Sequence, residues 1–74
     1  MNNVKDLAYI KEFGLNLRNL RISKKISQEQ LAYMSYIPIS QIGRIERGEI
    51  NTTISTVKAI AFALEIEPKK LFDF

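Results

Sequence analysis

Between Ser27 and Gly48 the chain carries two short helical segments separated by a proline turn, and this stretch limits the possible folds most. Ser27 can cap the first segment, because its hydroxyl accepts from the unpaired amide groups at a helix start. Gln30 follows three residues later and completes a capping-box spacing, with Glu29 also in the first turn. Leu31, Ala32 and Ser35 then form an apolar-to-small face, and Ala32 is small enough to let another helix cross closely. Tyr36, Ile37 and Pro38 make the turn. Proline fixes its own φ, disfavours helix at Ile37 and suits the first position of a second helix. That helix is expected to run to about Arg47 and to stop at Gly48.

The second helix has two unlike faces. At about 100° per residue, Ile42, Ile45 and Glu46 share one side, while Ser40, Arg44 and Arg47 share the other. It therefore buries isoleucines and displays arginines. An anchored back with a cationic, hydrogen-bonding front is what a helix needs to enter the major groove of DNA. Charge placement agrees. Residues 14–48 hold six basic side chains (Arg18, Arg21, Lys24, Lys25, Arg44, Arg47) against two acidic ones (Glu29, Glu46), so the net +3 of the chain is concentrated there. Such concentration is the footprint of a phosphate-binding surface, or else of a merely solvated basic face.

Before the motif, a first helix is expected from a cap at Asp6 to about Lys24. Ile10, Phe13, Leu17 and Leu20 define its buried stripe. Gly14 lies inside it, at a cost of about 1 kcal/mol against alanine unless close packing demands it. Arg18 and Arg21 are neighbours one turn apart. Leu7, Leu15 and Ile22 fall off the stripe and either meet a second surface or lie exposed. After Gly48, Thr52 or Thr53 should start a fourth helix whose buried face is Ile54, Val57, Ala61 and Leu64, with Ile60 beside it. Pro68 should begin a short fifth helix through Phe72. The expected fold is all-α: a compact five-helix domain covering residues 1–74.

The 74 residues include neither cysteine nor histidine, which excludes disulfides, thiolate or imidazole metal sites, cysteine nucleophiles and histidine bases. The longest apolar run, Ala59 to Leu64, is too short to span a membrane. The absence of cysteine fits a cytoplasmic setting, which is the expectation, and the first residues, Met-Asn-Asn-Val-Lys-Asp, lack the apolar stretch of a signal peptide. Glu46 with Glu49, or Glu65 with Glu67, could be imagined as paired catalytic carboxylates. No nucleophile or metal motif accompanies them, so they read as ordinary helix and loop charges, and no enzyme activity is expected. Tyr9, Tyr33 and Tyr36 could stack on bases. The plainer reading packs Tyr9 at the first helix and leaves Tyr33 half-exposed.

Taken together, Leu17-Arg18-Asn19-Leu20-Arg21, Ser27-Gln28-Glu29-Gln30-Leu31-Ala32 and Ile42-Gly43-Arg44-Ile45-Glu46-Arg47-Gly48 resemble the phage repressor/Cro-type (XRE-like) helix-turn-helix family. The likeness resumes at Ile54, Val57, Ala61, Leu64 and Leu71-Phe72 and covers roughly residues 13–72. Stand-alone members such as restriction–modification controller proteins are similar in length and layout. The resemblance implies a lambda-repressor-like domain that binds double-stranded DNA with a recognition helix at about residues 38–47. It implies that Gln28 donates to a backbone phosphate. Ile39, Ser40 and Arg44 would face base edges, with Gln41 helping and Gly43 beside them. Arg47 and the loop through Thr52 and Thr53 would flank phosphates. Arg21 and Glu46 would form a structural ion pair. Four positions depart from the family pattern: Tyr36 stands where glycine is usual, Pro38 replaces a hydroxyl cap, Ile39 can only touch a thymine methyl or a sugar, and Gly43 has no side chain.

The expected function is sequence-specific DNA binding by a small transcriptional regulator, repressor or activator, acting by promoter occupancy, steric exclusion or contact with polymerase. The alternative is an antitoxin-type or other protein-interaction module on the same fold. Expected partners are a partly palindromic operator and a second copy of the chain. No cofactor, small-molecule ligand or membrane partner is expected. Ile50, Phe62 and Phe74 lie outside the core stripes and either form a two-fold patch or complete a very small core.

Overall fold

In a computed structural model, residues 5–74 are described; the expectation about a signal peptide rests partly on residues 1–4, which lie outside them. Among the described residues four α-helices follow one another: α1 (Leu7–Ser23), α2 (Gln28–Ser35), α3 (Ile39–Glu46) and α4 (Ile54–Leu64). A 3-10 helix (Pro68–Phe72) ends the chain, and no strand occurs among the described residues. The expected fifth helix is thus a 3-10 segment. With five residues it is too short to gain from the α-helical hydrogen-bond ladder, and the tighter turn suffices to insert Leu71.

The caps explain the boundaries. Asp6 accepts from the Tyr9 amide and starts α1. Ser27 and Gln30 form the reciprocal capping box, at 3.0 and 2.8 Å. Thr53, rather than Thr52, caps α4 by accepting from the Thr56 amide at 3.2 Å. Pro38 sits one residue outside α3 in extended conformation, so α3 starts at Ile39 with no side-chain cap.

The helices surround one core of Phe13, Leu17, Leu31, Ile37, Ile42, Ile45, Val57, Ile60, Ala61, Leu64 and Leu71. α2 packs on α3 and α4, α1 packs on α3, and the 3-10 helix closes the base against α1 and α4. Eight of these side chains are almost fully enclosed, all but Ala61 leucine or isoleucine. Each enclosed leucine or isoleucine contributes about 1.5–3 kcal/mol relative to exposure.

Some expected core positions move. The spacing predicts Ile54 on the buried face of α4, yet it is 88% exposed. It sits in the first turn, where nothing covers it, and Ile60 fills the stripe with Val57, Ala61 and Leu64. Ile10 and Leu20 are only partly buried. Leu7, Leu15 and Ile22 all lie at the surface, which decides between the two options left for them. Tyr33 is almost wholly exposed rather than half-exposed.

α1 can approach α3 only because residue 14 is glycine. A Cβ there would stand 2.3 Å from the Ile45 carbonyl oxygen and 2.7 Å from that of Glu46. This contact holds the back of α3 against the domain.

Candidate nucleic-acid interface

The outer face of α3 is positioned by both of its ends. At its start, Tyr36 adopts φ 60° and ψ 29°, the left-handed conformation that closes α2 and swings the chain into Pro38. The Tyr36 and Ile37 amides both return to the Ala32 carbonyl. Tyrosine therefore takes the backbone geometry that the family pattern gives to glycine, with its ring 95% exposed. At the far end, the amide of Gly48 (φ 73°) donates to the Ile45 carbonyl, and that of Glu49 donates to the Arg44 carbonyl at 2.9 Å. These two bonds satisfy the last carbonyls of α3 and fold Glu49 back beside it.

Beneath this face lies a buried polar network. Arg21 Nε donates to Glu46 Oε2 at 2.6 Å, Nη2 donates to Oε1 at 3.1 Å, and Nη1 donates to the Ile26 carbonyl at 2.8 Å. Gln28 Nε2 adds a bond to Glu46 Oε1 at 2.9 Å. The pairing joins α1 to α3, and Gln28 ties in α2. A buried carboxylate is tolerated here because its lone pairs are occupied by donors. Gln28 keeps one amide hydrogen for an outside acceptor.

On the outer face the structure brings Ile39, Ser40, Arg44 and Arg47 to the surface, with Gln41 partly buried. Arg44 and Arg47 side chains are 55% and 59% exposed. Gly43 is enclosed: a Cβ at this position would come within 2.9 Å of Arg47 Nη1, so the guanidinium lies across it. The threonines differ. Thr53 spends its hydroxyl on Thr56, and the Thr52 hydroxyl is buried with no partner among the described residues, beside a small apolar cavity of about 100 Å³.

Glu49 was missed as a participant. Its carboxylate accepts from Arg47 Nε at 2.7 Å and from Nη2 at 3.4 Å, and it stands 3.7 Å from Arg44 Nε. The hydrogen bond from Arg47, with the positive fields of Arg47 and Arg44, holds the Glu49 carboxyl below its ordinary pKa. The same bond raises that of Arg47. The signal for Glu49 in the sequence was its position just past the glycine stop, where the reversed backbone must return it to α3.

Of the residues considered for a two-fold patch, two border the same aromatic pair, Tyr9 and Phe72. Phe74 packs on Tyr9 with ring centroids 5.1 Å apart, Tyr9 stacks on Phe72 at 6.5 Å, and Ile50 lines the small cavity with Tyr9 and Phe72. Phe62 is 80% exposed and shares a groove with Met34 and Ile66 instead. Among the described residues, no group of acidic, cysteine or histidine side chains is arranged to hold a metal ion. No described helix is long and apolar enough to cross a membrane.

Comparison with known proteins places this geometry. The helix-turn-helix family profile matches residues 17–71. Control protein C.BamHI of Bacillus amyloliquefaciens is 40% identical over 63 residues, 84% of this chain and 78% of that protein. Control protein C.SmaI of Serratia marcescens is 43% identical over 56 residues, 76% of this chain and 67% of that one. The crystal structure of the restriction-modification controller protein C.AhdI from Aeromonas hydrophila superimposes with a TM-score of 0.87 at 43% identity. That match covers 88% of this chain and 98% of the other. With α2 and α3 joined through Tyr36 and Pro38 and arginines exposed on the outer side of α3, the chain belongs to the helix-turn-helix family and is a small DNA-binding transcriptional regulator.

Proposed function

We propose that the chain is a controller-type regulator that lays α3 in the major groove of a partly palindromic operator and acts in the cytoplasm as a homodimer. The observation that carries this reading is the two-sided α3: Ile42, Ile45 and Glu46 are buried, while Ser40, Arg44 and, just past its end, Arg47 are exposed. Arg44 pairs with a base edge, guanine O6 and N7 offering the best match, and contributes about 1–3 kcal/mol of discrimination. Ser40 and Gln41 supply shorter polar contacts, and Ile39 meets a thymine methyl. Gln28 and Arg47 contact phosphates on either side. Because Gly43 and Pro38 offer no side-chain hydrogen bonds, DNA shape carries part of the selectivity. Likeness to the control proteins C.BamHI and C.SmaI and to the restriction-modification controller C.AhdI supports control of restriction–modification genes.

The half-exposed cluster of Tyr9, Phe72 and Phe74, with Ile50 at its edge, is the favoured two-fold surface. A second copy there would set two recognition helices about 34 Å apart, one turn of DNA.

Selection of bound duplexes from a random pool at two salt concentrations tests the reading. The expected result is a two-half-site consensus with affinity falling about tenfold per doubling of salt if four phosphates are neutralised. A pool that stays random, or affinity indifferent to salt, would contradict it.

A further inference from the structure

Glu49 is an acidic side chain set among the two cations that the interface turns outward. It is not a stray surface charge, because the backbone returns it there. The left-handed Gly48 and the bond from the Glu49 amide to the Arg44 carbonyl bring the side chain against α3. Its carboxylate then meets Arg47 through Nε and Nη2, and Arg44 through Nε. Gly43 completes the arrangement, since only a residue without a side chain lets the Arg47 guanidinium lie across that turn of α3. Resting on the proposed groove-facing role of α3, we propose that Glu49 is a selectivity-determining residue that favours the operator over DNA of arbitrary sequence.

Two physical effects combine. Binding to arbitrary DNA is almost entirely attraction between cations and phosphates, so a fixed negative charge a few ångströms from both arginines weakens it directly. The operator complex has a further source of affinity in base contacts, and there Glu49 helps. Arg44, which Glu49 approaches only at Nε and at 3.7 Å, keeps both terminal amines for a second, two-acceptor partner such as a guanine edge, and loses less freedom on meeting it. Glu49 is thus a positioning residue: it acts through Arg44 and Arg47.

The test compares wild type with Glu49→Gln, which removes the charge and keeps the shape, on two duplexes of equal length. One is the best binder that wild type selects from a random pool, the other a scrambled version of it. Because the carboxylate is exposed, the variant should retain the wild-type melting temperature, read by circular dichroism. Affinity for the scrambled duplex is expected to rise about threefold to tenfold, as for one added cation. Affinity for the selected duplex is expected to stay within about twofold, because gained charge offsets lost orientation of Arg44. The ratio between the two therefore falls. A ratio equal to or above the wild-type value overturns the proposal, whether both affinities rise together or neither moves. Failure of wild type to prefer any duplex would instead remove the DNA-binding reading, and this inference with it.

Discussion

Gly14 and Glu46 meet where α1 crosses α3, and each makes a sharp prediction. Replacing Gly14 by alanine improves helix propensity by about 1 kcal/mol. The new methyl, however, would sit 2.3 Å from a backbone carbonyl that cannot swing aside. Overpacking of about 1–3 kcal/mol should win, so urea unfolding of Gly14→Ala should show a net loss of stability. A more stable variant would mean that the helices separate without penalty. Removing Glu46 leaves the Arg21 guanidinium buried with one carbonyl partner and orphans Gln28, so Glu46→Ala should lose about 3–5 kcal/mol in the same assay. Gly14 was legible as an anomaly inside a helical pattern, although what it touches was not. Arg21 and Glu46 were paired only through family resemblance, since they lie 25 positions apart and carry no local signal. Glu49 reads as an ordinary loop charge for a different reason: its partners are near in sequence but depend on how the chain reverses at Gly48.

At the scale of elements, the starts of α1, α2 and α4 are readable because capping is local, whereas α3, expected from Pro38, begins at Ile39 without a side-chain cap. Asp6, Ser27 and Thr53 each accept the amide that their spacing predicts. Burial was less readable where it depends on what a neighbouring element reaches. Ile54 repeats correctly with Val57 and Ala61, yet no other element extends over the first turn of α4. The turn before α3 offers a test of its own. A non-glycine residue in the left-handed region costs about 1–2 kcal/mol, and the exposed Tyr36 ring has little packing to lose. Glycine adds unfolded-state entropy of about 0.5–1 kcal/mol, so Tyr36→Gly should be stabilising by a few tenths to about 1 kcal/mol. A clear loss of thermal stability would assign the tyrosine ring a packing role.

For the molecule as a whole, buried isoleucines, a deeply paired Glu46 and a glycine crossing fix one side of α3, so its other side can carry cations outward. The proposed dimer would add a second such helix. Sedimentation should show a dimer at micromolar concentration that Phe74→Asp converts to monomer, because a carboxylate beside Tyr9 and Phe72 cannot be desolvated cheaply. A dimer indifferent to this change would place the interface elsewhere, with the exposed Phe62 the next surface to test. The most direct measurement concerns Arg44. On the duplex selected by wild type and on its scrambled counterpart, Arg44→Ala should lose about tenfold or more of the affinity ratio, whereas Arg47→Ala should weaken both duplexes alike. An Arg44→Ala protein that keeps the wild-type ratio would show that α3 does not read the bases through this residue.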